Sequence, residues 1–292
     1  MDLDAFLKRC ADVGALGAGR LGRAAEVLEE MWGRDDVTVV LAFSGPAVAA
    51  GLSPLFEDLI RMGLVDVVVT SGANVVHDVL DARGWMHLNL GPSNVKGHGR
   101  IYDVHVPEEA FEDFEGFMWE VLEDLPEKVS VSELLREIGA RLESGFLRAA
   151  ADEDVPVYCP GILDSMVGLH VWIYSQDHDF TLDMVADLHS FADIVFEAEE
   201  LGAVVLGGGV PKHFTMGAAM LREGLDYGVQ ITMDRPETGS LSGAPFEEGK
   251  TWGKVRDDAK VEDVIGDYTA LFPLLAVGVL QRLGLIGCGR ER

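Results

Sequence analysis

The chain has 292 residues, and its 50 acidic side chains against 23 basic ones give a formal net charge of −27. Binding to a nucleic-acid backbone requires clustered Lys and Arg, so this composition argues against a nucleic-acid-binding protein. The charge suits a cationic substrate or a basic partner through long-range attraction, and an acidic surface selected by a salt-rich cytosol would explain it equally well. Charge alone therefore leaves the nature of the substrate open.

The sequence shows none of the patterns of membrane insertion, secretion or metal binding. Its longest apolar runs are far too short to cross a bilayer, and acidic residues stand at the N-terminus where a signal peptide is basic. Its three cysteines form no CxxC pair, and its eight histidines form no HxH or HExxH motif. We therefore predict a cytoplasmic protein that binds neither a membrane nor a metal ion.

Hydrophobic periodicity in the first part of the chain predicts helices and strands in alternation. Helical spacing of apolar residues occurs at 4–9 and 21–31. Two continuous apolar runs follow, at 37–43 and 65–70, and the segment between them, 51–62, is amphipathic with a helical period. Continuous apolar strands separated by a helix are typical of a parallel sheet whose two faces are both covered.

The rest of the chain repeats this alternation. We predict strands at 155–158, 203–206 and 226–231, and helices at 181–200, 214–223 and 268–283. The acid-rich segment 108–147 is predicted to be helical and peripheral. The pattern favours an α/β fold, a Rossmann-like parallel sheet with helices on both faces, which binds ligands at the carboxyl ends of its strands. Because no linker is evident, we expect one large domain over 1–292, with 1–20 as an N-terminal extension and 21–285 as the core.

Three glycine-rich segments are candidates for a phosphate site. The literal GxGxxG at 17–22 follows a helical segment, whereas a dinucleotide fingerprint follows a strand, so we interpret it as a helix-to-helix connection. Residues 70–74 and 207–209 each follow a predicted strand and precede a helix, where backbone N–H groups and the helix terminus favour a phosphate. A tight structural turn explains either loop alone, but two such loops on parallel strands favour a dinucleotide site.

Three ionisable side chains are candidates for chemistry, and each has a plainer alternative. Lys254 follows Trp252, whose apolar indole would favour the neutral amine that a nucleophile needs, although a surface lysine lying along Trp252 fits the same pattern. His213 lies at the start of the helix after the glycines, where it could shuttle a proton or only cap or pack the helix. Asp164 follows a predicted strand and suits a ribose or amine contact, or a helix N-cap.

Taken together, these segments resemble the deoxyhypusine synthase family over about residues 20–285. The stretches that carry the resemblance are GLVDVVVTSG at 63–72, PVYCP at 156–160 leading to Asp164, LGGGVPKH at 206–213, GSLSGA at 239–244, the glutamates 247 and 248, and TWGKV at 251–255. This ordered set is far more specific than any single motif. On these residues the chain is identified as a member of the family.

The resemblance implies a homotetramer of Rossmann-like subunits with NAD sites shared across a dimer interface. The reaction that it implies moves a hydride from spermidine to NAD and captures the aminobutyl group as an imine on an enzyme lysine. The group then passes to a lysine of a translation initiation factor precursor, and the retained hydride reduces the new imine. By position, Lys254 matches the imine-forming lysine and His213 the catalytic histidine, while Trp252 and Glu248 match residues of the polyamine site. The implied NAD contacts are Thr70, Ser71, Gly72, Asp164, Gly208 and Asp267.

The chain departs from the family pattern at three substrate positions. Two aspartates that hold substrate amines in the family correspond here to Leu169 and Leu241, and a glutamate after the first glycine loop corresponds to His77. A buried ammonium that faced two leucines would lack its counter-ions. We therefore expect a divergent branch in which the NAD and lysine machinery is kept and the amine-binding residues are replaced.

Three functions remain open from the sequence. The first is NAD-dependent aminobutyl transfer from spermidine to the initiation factor precursor through Lys254. The second keeps this mechanism but uses a small amine as donor or acceptor, as in homospermidine synthases, and is suggested by Leu169 and Leu241. The third is a catalytically silent NAD-binding protein that assembles with an active paralogue, against which the retention of Lys254 and His213 counts.

Overall fold

The computed structural model describes residues 2–287. Within them the chain divides into two compact units, one formed by the residues up to Phe43 together with those from Phe191 onward, and the other by Ser44–Ser190. The single large domain over 1–292 stays a prediction, and Met1 and residues 288–292 of its predicted span lie outside the described residues. None of the helices that the structure describes is long and apolar enough to cross a lipid bilayer.

Helices and strands alternate along the described residues, as the periodicity predicts. The helices are α1 (Leu3–Val13), α2 (Leu16–Trp32), α3 (Ser53–Arg61), α4 (Gly72–Ala82), α5 (Glu108–Glu123), α6 (Val131–Ala140), α7 (Phe146–Asp152), α8 (Met166–Tyr174), α9 (Met184–Glu197), α10 (Gly209–Ala219), α11 (Phe246–Lys250) and α12 (Tyr268–Arg282). The strands are β1 (Val37–Phe43), β2 (Val67–Val69), β3 (Leu88–Asn89), β4 (His98–Ile101), β5 (Val104–Pro107), β6 (Lys128–Ser130), β7 (Val157–Tyr158), β8 (Thr181–Asp183), β9 (Glu200–Leu206), β10 (Leu225–Thr232) and β11 (Val255–Ile265). The predicted helix at 181–200 is thus a short strand followed by α9.

The first unit is built on a parallel sheet with the strand order β11-β10-β9-β1. β1 and β9 pair along their whole length, from Val37 opposite Glu200 to Phe43 opposite Leu206. Almost all of their side chains are buried. Parallel strands that are covered on both faces carry continuous apolar runs, which is the pattern that predicted them.

Helices cover both faces of this sheet. A Cβ on Gly202 of β9 would lie 2.3 Å from the sulfur of Met31 in α2, and one on Gly228 of β10 would lie 2.8 Å from the ring of Phe246 in α11. Gly202 pairs with Tyr227, the residue before Gly228, and successive side chains of a strand point to opposite faces. α2 and α11 therefore lie on opposite faces, which confirms the predicted Rossmann-like α/β sheet with helices on both faces.

The second unit contains shorter strands. β2 pairs with β7 in parallel, β5 pairs with β3 and β4 to form an antiparallel sheet, and β6 pairs with β8 in parallel. The sequence pattern does not predict β3, β4, β5, β6 or β8, because runs of two to four residues are too short to show a period.

The predicted peripheral position of segment 108–147 is wrong. The segment is largely helical, as predicted, but α5 and α6 bury apolar side chains in the core of the second unit, among them Phe114, Met118, Leu134 and Ile138. An amphipathic helix places its acidic residues on the solvent side only, so a high acid content does not exclude a buried face.

The interpretation of 17–22 as a connection between helices is also wrong. The segment forms the first turns of α2. A Cβ on Gly19 would lie 2.2 Å from the carbonyl carbon of Gly14, and one on Gly22 would lie 2.2 Å from the amide nitrogen of Ala11. These glycines therefore allow the backbones of α1 and α2 to pack closely. The rejection of the segment as a phosphate loop is confirmed, because the element that precedes it is the helix α1.

Asp78 of α4 anchors the start of α7 within the second unit. Its carboxylate is fully buried and accepts hydrogen bonds from the Ser53 hydroxyl, from the Phe146 amide at 3.3 Å and from the Leu147 amide at 3.0 Å. A Cβ on Gly145, which has a φ of 97°, would lie 2.7 Å from this carboxylate. Burial raises the pKa of Asp78 to about 7, although the three donors act in the opposite direction.

Candidate active site

A cavity of about 250 Å³ lies in the first unit, lined by α10 and by the segment from Leu241 to Lys254. Its lining residues are Lys212, His213, Met216, Leu241, Ala244, Pro245, Glu248, Gly249, Trp252 and Lys254. The structure therefore brings together these side chains that the sequence places in a catalytic or substrate site: Lys254, His213, Trp252, Glu248 and Leu241.

Lys254 stands at the amino end of β11, not at the carboxyl ends of the strands where the fold class predicts ligands. Its amide donates to the Gly249 carbonyl at 3.0 Å, and its carbonyl accepts from the Leu225 amide at 3.1 Å. Gly253, with a φ of 66°, supplies the left-handed conformation that reverses the chain between α11 and β11. The backbone of Lys254 is thus held on both sides while its side chain extends along the cavity wall.

Within the described part of the chain, the Lys254 amine takes part in no hydrogen bond or ion pair. The neighbouring Trp252 also lines the cavity, but its side chain is 64% exposed, so much of the indole is open to a ligand. An unpaired primary amine beside an open aromatic face can meet an electrophilic carbon of a bound substrate.

Lys212 is a second lysine of the cavity, and the sequence pattern assigns it no role. Its side chain is 1% exposed. Its ammonium donates to Gln230 Oε1 at 2.7 Å, to the Leu241 carbonyl at 3.1 Å and to the Ala244 carbonyl. Lysine is almost never fully buried unless its charge is satisfied, and local sequence does not show the three acceptors that satisfy it here.

Two carboxylates give this part of the first unit negative charge. Glu248 lines the cavity, and Asp263 on β11 accepts from the Phe246 amide at 3.1 Å. Burial raises the pKa of Asp263 to about 6. It also lowers the pKa of Lys212 to about 8, an effect that the charges of Asp263 and Glu248 oppose. Carboxylates together with an open indole suit a cationic amine better than an anion.

His213 and Leu241 face the same cavity. His213 lies beyond the first turn of α10, whose N-cap is Gly208, so the alternative of a helix-capping histidine is wrong. Leu241 places an apolar side chain in the wall. Proton transfer by His213 and substrate contact by Leu241 stay predictions.

The glycine turn after β9 packs closely on the loop that carries Ser242. A Cβ on Gly208 would lie 2.5 Å from the Cα of Ser242, and the Gly209 amide donates to Ser242 Oγ at 2.9 Å. Gly207 and Gly209 have φ values of 80° and 62°. Turn geometry and close packing therefore account for these glycines, and an NAD contact at Gly208 stays a prediction.

Other predicted NAD positions lie at the starts of helices. Asp267 caps α12 by accepting from the Thr269 amide at 2.9 Å. In the second unit, Ser71 is the N-cap of α4, between Thr70 and Gly72, and it makes no side-chain capping bond. A helix start without a side-chain cap offers backbone N–H groups to an anion.

Asp164 stands directly before the N-cap of α8. That N-cap is Ser165, whose Oγ accepts from the Gly168 amide at 3.3 Å, so the alternative of an N-capping Asp164 is wrong. A Cβ on Gly72 would lie 2.4 Å from the Ser165 side chain. Asp164 thus neighbours the residue on which the glycine loop of the second unit packs, and its NAD contact stays a prediction.

The other two predicted substrate positions also belong to the second unit. His77 on α4 is buried, and its Nδ1 lies 2.8 Å from Nε2 of His87, whose Nδ1 is bonded to the Asp81 carboxylate. Burial and the neighbouring His87 lower the pKa of His77 to about 4, so its ring is neutral at physiological pH. Leu169 on α8 is 42% exposed. Substrate contact at His77 and Leu169 stays a prediction.

Over residues 2–287, no group of three or more His, Cys, Asp or Glu is placed to hold a metal ion.

Comparison with known families gives a match over nearly the whole chain. The family model described as deoxyhypusine synthase matches residues 5–279. A curated relative from Methanopyrus kandleri, named "Probable deoxyhypusine synthase", is 71% identical over 98% of this chain and 96% of its own length. A relative of the same name from Methanothermobacter thermautotrophicus is 44% identical over 92% of this chain and 91% of its own length.

Solved structures share the fold at low sequence identity. A crystal structure from Entamoeba histolytica, described as a "putative deoxyhypusine synthase", has a TM-score of 0.65 at 19% identity and covers 90% of this chain and 87% of that one. A Methanococcus maripaludis structure described as a "conserved putative LOR/SDH protein" has a TM-score of 0.55 at 14% identity, over 97% of this chain and 69% of that one. At these identities the likeness concerns the fold alone.

Proposed function

Because the chain belongs to the deoxyhypusine synthase family, we propose that it transfers the aminobutyl group of spermidine, in an NAD-dependent reaction, to a lysine of a translation initiation factor precursor by way of an imine on Lys254. The observation that carries the proposal is the cavity in which the unpaired Lys254 amine, Glu248, Trp252 and His213 meet. Assembly as a homotetramer is part of the same proposal.

Lys254 supplies the covalent step. Its amine attacks the imine carbon of the oxidised donor, a new C–N bond forms at Lys254, and the bond from that carbon to the departing diamine breaks. The aminobutyl group is then held on Lys254 until the amine of the acceptor lysine displaces it by the same exchange. His213 lines the same cavity. In this proposal it gives a proton to the departing amine.

The remaining side chains of the cavity bind and orient the amine. Glu248 pairs with an ammonium of the donor, since a carboxylate forms its strongest hydrogen bonds with charged donors. The exposed indole of Trp252 offers its face to the same cation. An apolar Leu241 suits the methylene chain between the amines.

NAD fits the start of α4 within the second unit. This helix follows β2 and begins at Ser71 without a side-chain cap. Its backbone N–H groups, with Gly72 beside them, would hold phosphate oxygens. When bound, NAD would accept the hydride from the carbon beside the secondary amine of the donor and would return it to the imine formed on the acceptor lysine.

Borohydride trapping tests the covalent step. Incubation of the purified protein with NAD and spermidine, followed by reduction, should leave an aminobutyl adduct on the peptide that contains Lys254, because reduction fixes an imine permanently. Peptide mass spectrometry locates the adduct, and a sample without NAD is the control. An adduct on another lysine, or the absence of any adduct under conditions that support turnover, would contradict the role of Lys254.

Glu248→Gln should raise the KM for the amine donor about 10- to 100-fold with a smaller change in kcat, because a hydrogen bond to a charged group contributes roughly 1.5–3 kcal/mol. The measurement is initial rates over a range of donor concentrations. Glu247→Gln is the matched control, since Glu247 is the preceding residue of α11, is 69% exposed and pairs with Lys250. Equal KM values for the two variants would contradict a role of Glu248 in binding the amine.

A second function is favoured by one observation, the apolar Leu241 in the cavity wall. A site with fewer acids suits a small amine as donor or acceptor, which is the reaction type of a homospermidine synthase. Product analysis with spermidine, putrescine and agmatine, each with and without the protein acceptor, separates the two functions. Modification of the protein acceptor alone would exclude the small-amine function.

A further inference from the structure

Each of the three N–H groups of the Lys212 ammonium has its own acceptor. A protonated lysine carries three N–H groups, and those of Lys212 point to Gln230 Oε1, the Leu241 carbonyl and the Ala244 carbonyl. Two of these acceptors lie in residues 241–244, which are called the 241–244 loop below, and the third is on β10. A neutral amine has only two N–H groups, so loss of the proton leaves one of the three buried acceptors without its donor.

Gln230 extends the same network. Its Oε1 is occupied by Lys212, and its Nε2 donates to the Ser242 carbonyl at 2.7 Å and to the Gly207 carbonyl at 3.1 Å. Lys212 and Gln230 together therefore bond to three carbonyls of the 241–244 loop and to the glycine turn after β9. Leu241 and Ala244 line the cavity in which Lys254 lies, so this network fixes one wall of the candidate active site.

We propose that Lys212 is a positioning residue whose protonated amine latches the 241–244 loop onto α10 and β10, and thereby shapes the wall of the cavity that holds Lys254. The role for catalysis rests on the function proposed above. The latch itself concerns only residues of the first unit. Lys212 forms no covalent bond in this scheme and acts through the loop that it holds.

Burial and the charged groups around Lys212 determine the pH at which it loses its proton. Asp263 on β11 and Glu248 on α11 favour the ammonium, Lys254 disfavours it, and the ring of Phe246 lies 5.7 Å from Nζ. Burial outweighs the two carboxylates and lowers the pKa of Lys212 to about 8, against roughly 10.4 for an exposed lysine. Because the folded-state pKa is lowered, the Lys212 amine is protonated below pH 7 and loses its proton as the pH rises through 8.

Hydrogen exchange of the loop amides tests the latch without any substrate. The amides of Gly243 and Ala244 both donate to the Ser240 carbonyl at 3.1 Å and report on the order of the loop. After correction for the intrinsic pH dependence of exchange, we expect their protection in the wild-type protein to fall at least about tenfold with a midpoint close to pH 8. Protection that stays constant between pH 6.5 and 9.5 would overturn the proposal.

Variants separate the charge of Lys212 from its bulk. In Lys212→Arg the side chain stays protonated, so the midpoint near pH 8 should disappear. In Lys212→Met the loop should be poorly protected at every pH, while Lys8→Met, at an exposed lysine paired with Asp4, should behave as the wild type. If Lys212→Met does not fold, the wild-type titration decides by itself.

The pH profile of activity links the latch to the reaction. We expect kcat/KM of the wild-type enzyme to fall above pH 8 and this alkaline decline to be absent in Lys212→Arg. A lysine that only stabilised the fold would lower the melting temperature on replacement without changing the profile. Exchange with a midpoint near pH 8 in a protein without transferase activity would support the latch and refute the proposed function. Activity combined with exchange that does not depend on pH would do the reverse.

Discussion

Replacing Lys254 by arginine should reduce turnover at least about 1,000-fold, which is the order of loss seen when a covalent nucleophile is removed. A guanidinium keeps the positive charge and the length of the side chain but stays protonated at all accessible pH values, so it cannot form the imine. Initial rates of aminobutyl transfer measure the effect, and borohydride should label the variant no longer.

The matched control is Lys250→Arg. Lys250 lies at the end of α11, four residues before Lys254, and pairs with Glu247 at 2.8 Å, an ion pair that arginine can keep. Its rate should stay close to that of the wild type. Retention of a tenth or more of the activity by Lys254→Arg would show that the reaction does not pass through an imine on this residue.

Replacing Asp78 by alanine should destabilise the protein by roughly 3–5 kcal/mol, because a buried donor left without its acceptor costs about 1–3 kcal/mol and three donors share this carboxyl. The Ser53 hydroxyl and the amides of Phe146 and Leu147 would lose their shared acceptor, and they lie in a buried site. Denaturant unfolding measures the loss. Asp58→Ala is the control, because Asp58 on α3 is exposed, and its effect should stay within about 0.5 kcal/mol.

The raised pKa of Asp78 also predicts the direction in which the free energy of unfolding changes with pH. The folded-state pKa of Asp78, about 7, is raised above its ordinary value of 3.8. Its contribution to the free energy of unfolding is therefore complete below pH 4 and is lost as the pH rises through 7. Between pH 4 and 7 the wild-type protein should lose more stability than Asp78→Asn, which has no proton to release there. Parallel curves would show that the carboxyl is already ionised at low pH, held so by its three donors.

The continuous apolar runs of the sequence predicted the centre of the parallel sheet correctly. β1 and β9 are covered on both faces, so nearly every residue of each strand is buried and apolar, and the pattern is visible without any knowledge of partners. The candidate site was predictable for a different reason. The order of the motifs around Lys254, His213, Glu248 and Trp252 is specific, and the structure places these side chains on one cavity.

β11 shows where local pattern is insufficient. Its 11 residues include Arg256, Asp257, Asp258, Lys260 and Glu262, so no apolar run marks it as a strand. It stands at the end of the strand order in the first unit, where one long edge has no neighbour in that unit's sheet. Only its pairing with β10, from Tyr227 opposite Lys260 to Thr232 opposite Ile265, makes it a strand.

The amino-acid sequence thus indicates the family, the parallel α/β sheet and most of the side chains around Lys254, because each of these leaves a pattern in neighbouring residues or in the order of motifs. The folded structure was needed to show that Lys212 is buried with three acceptors, that Gly19 and Gly22 bring two helices into backbone contact, and that Asp78 holds the start of α7. Burial, close approach and hydrogen-bond partners depend on residues that are distant along the chain. A single buried lysine or aspartate therefore has the same local sequence as an exposed one.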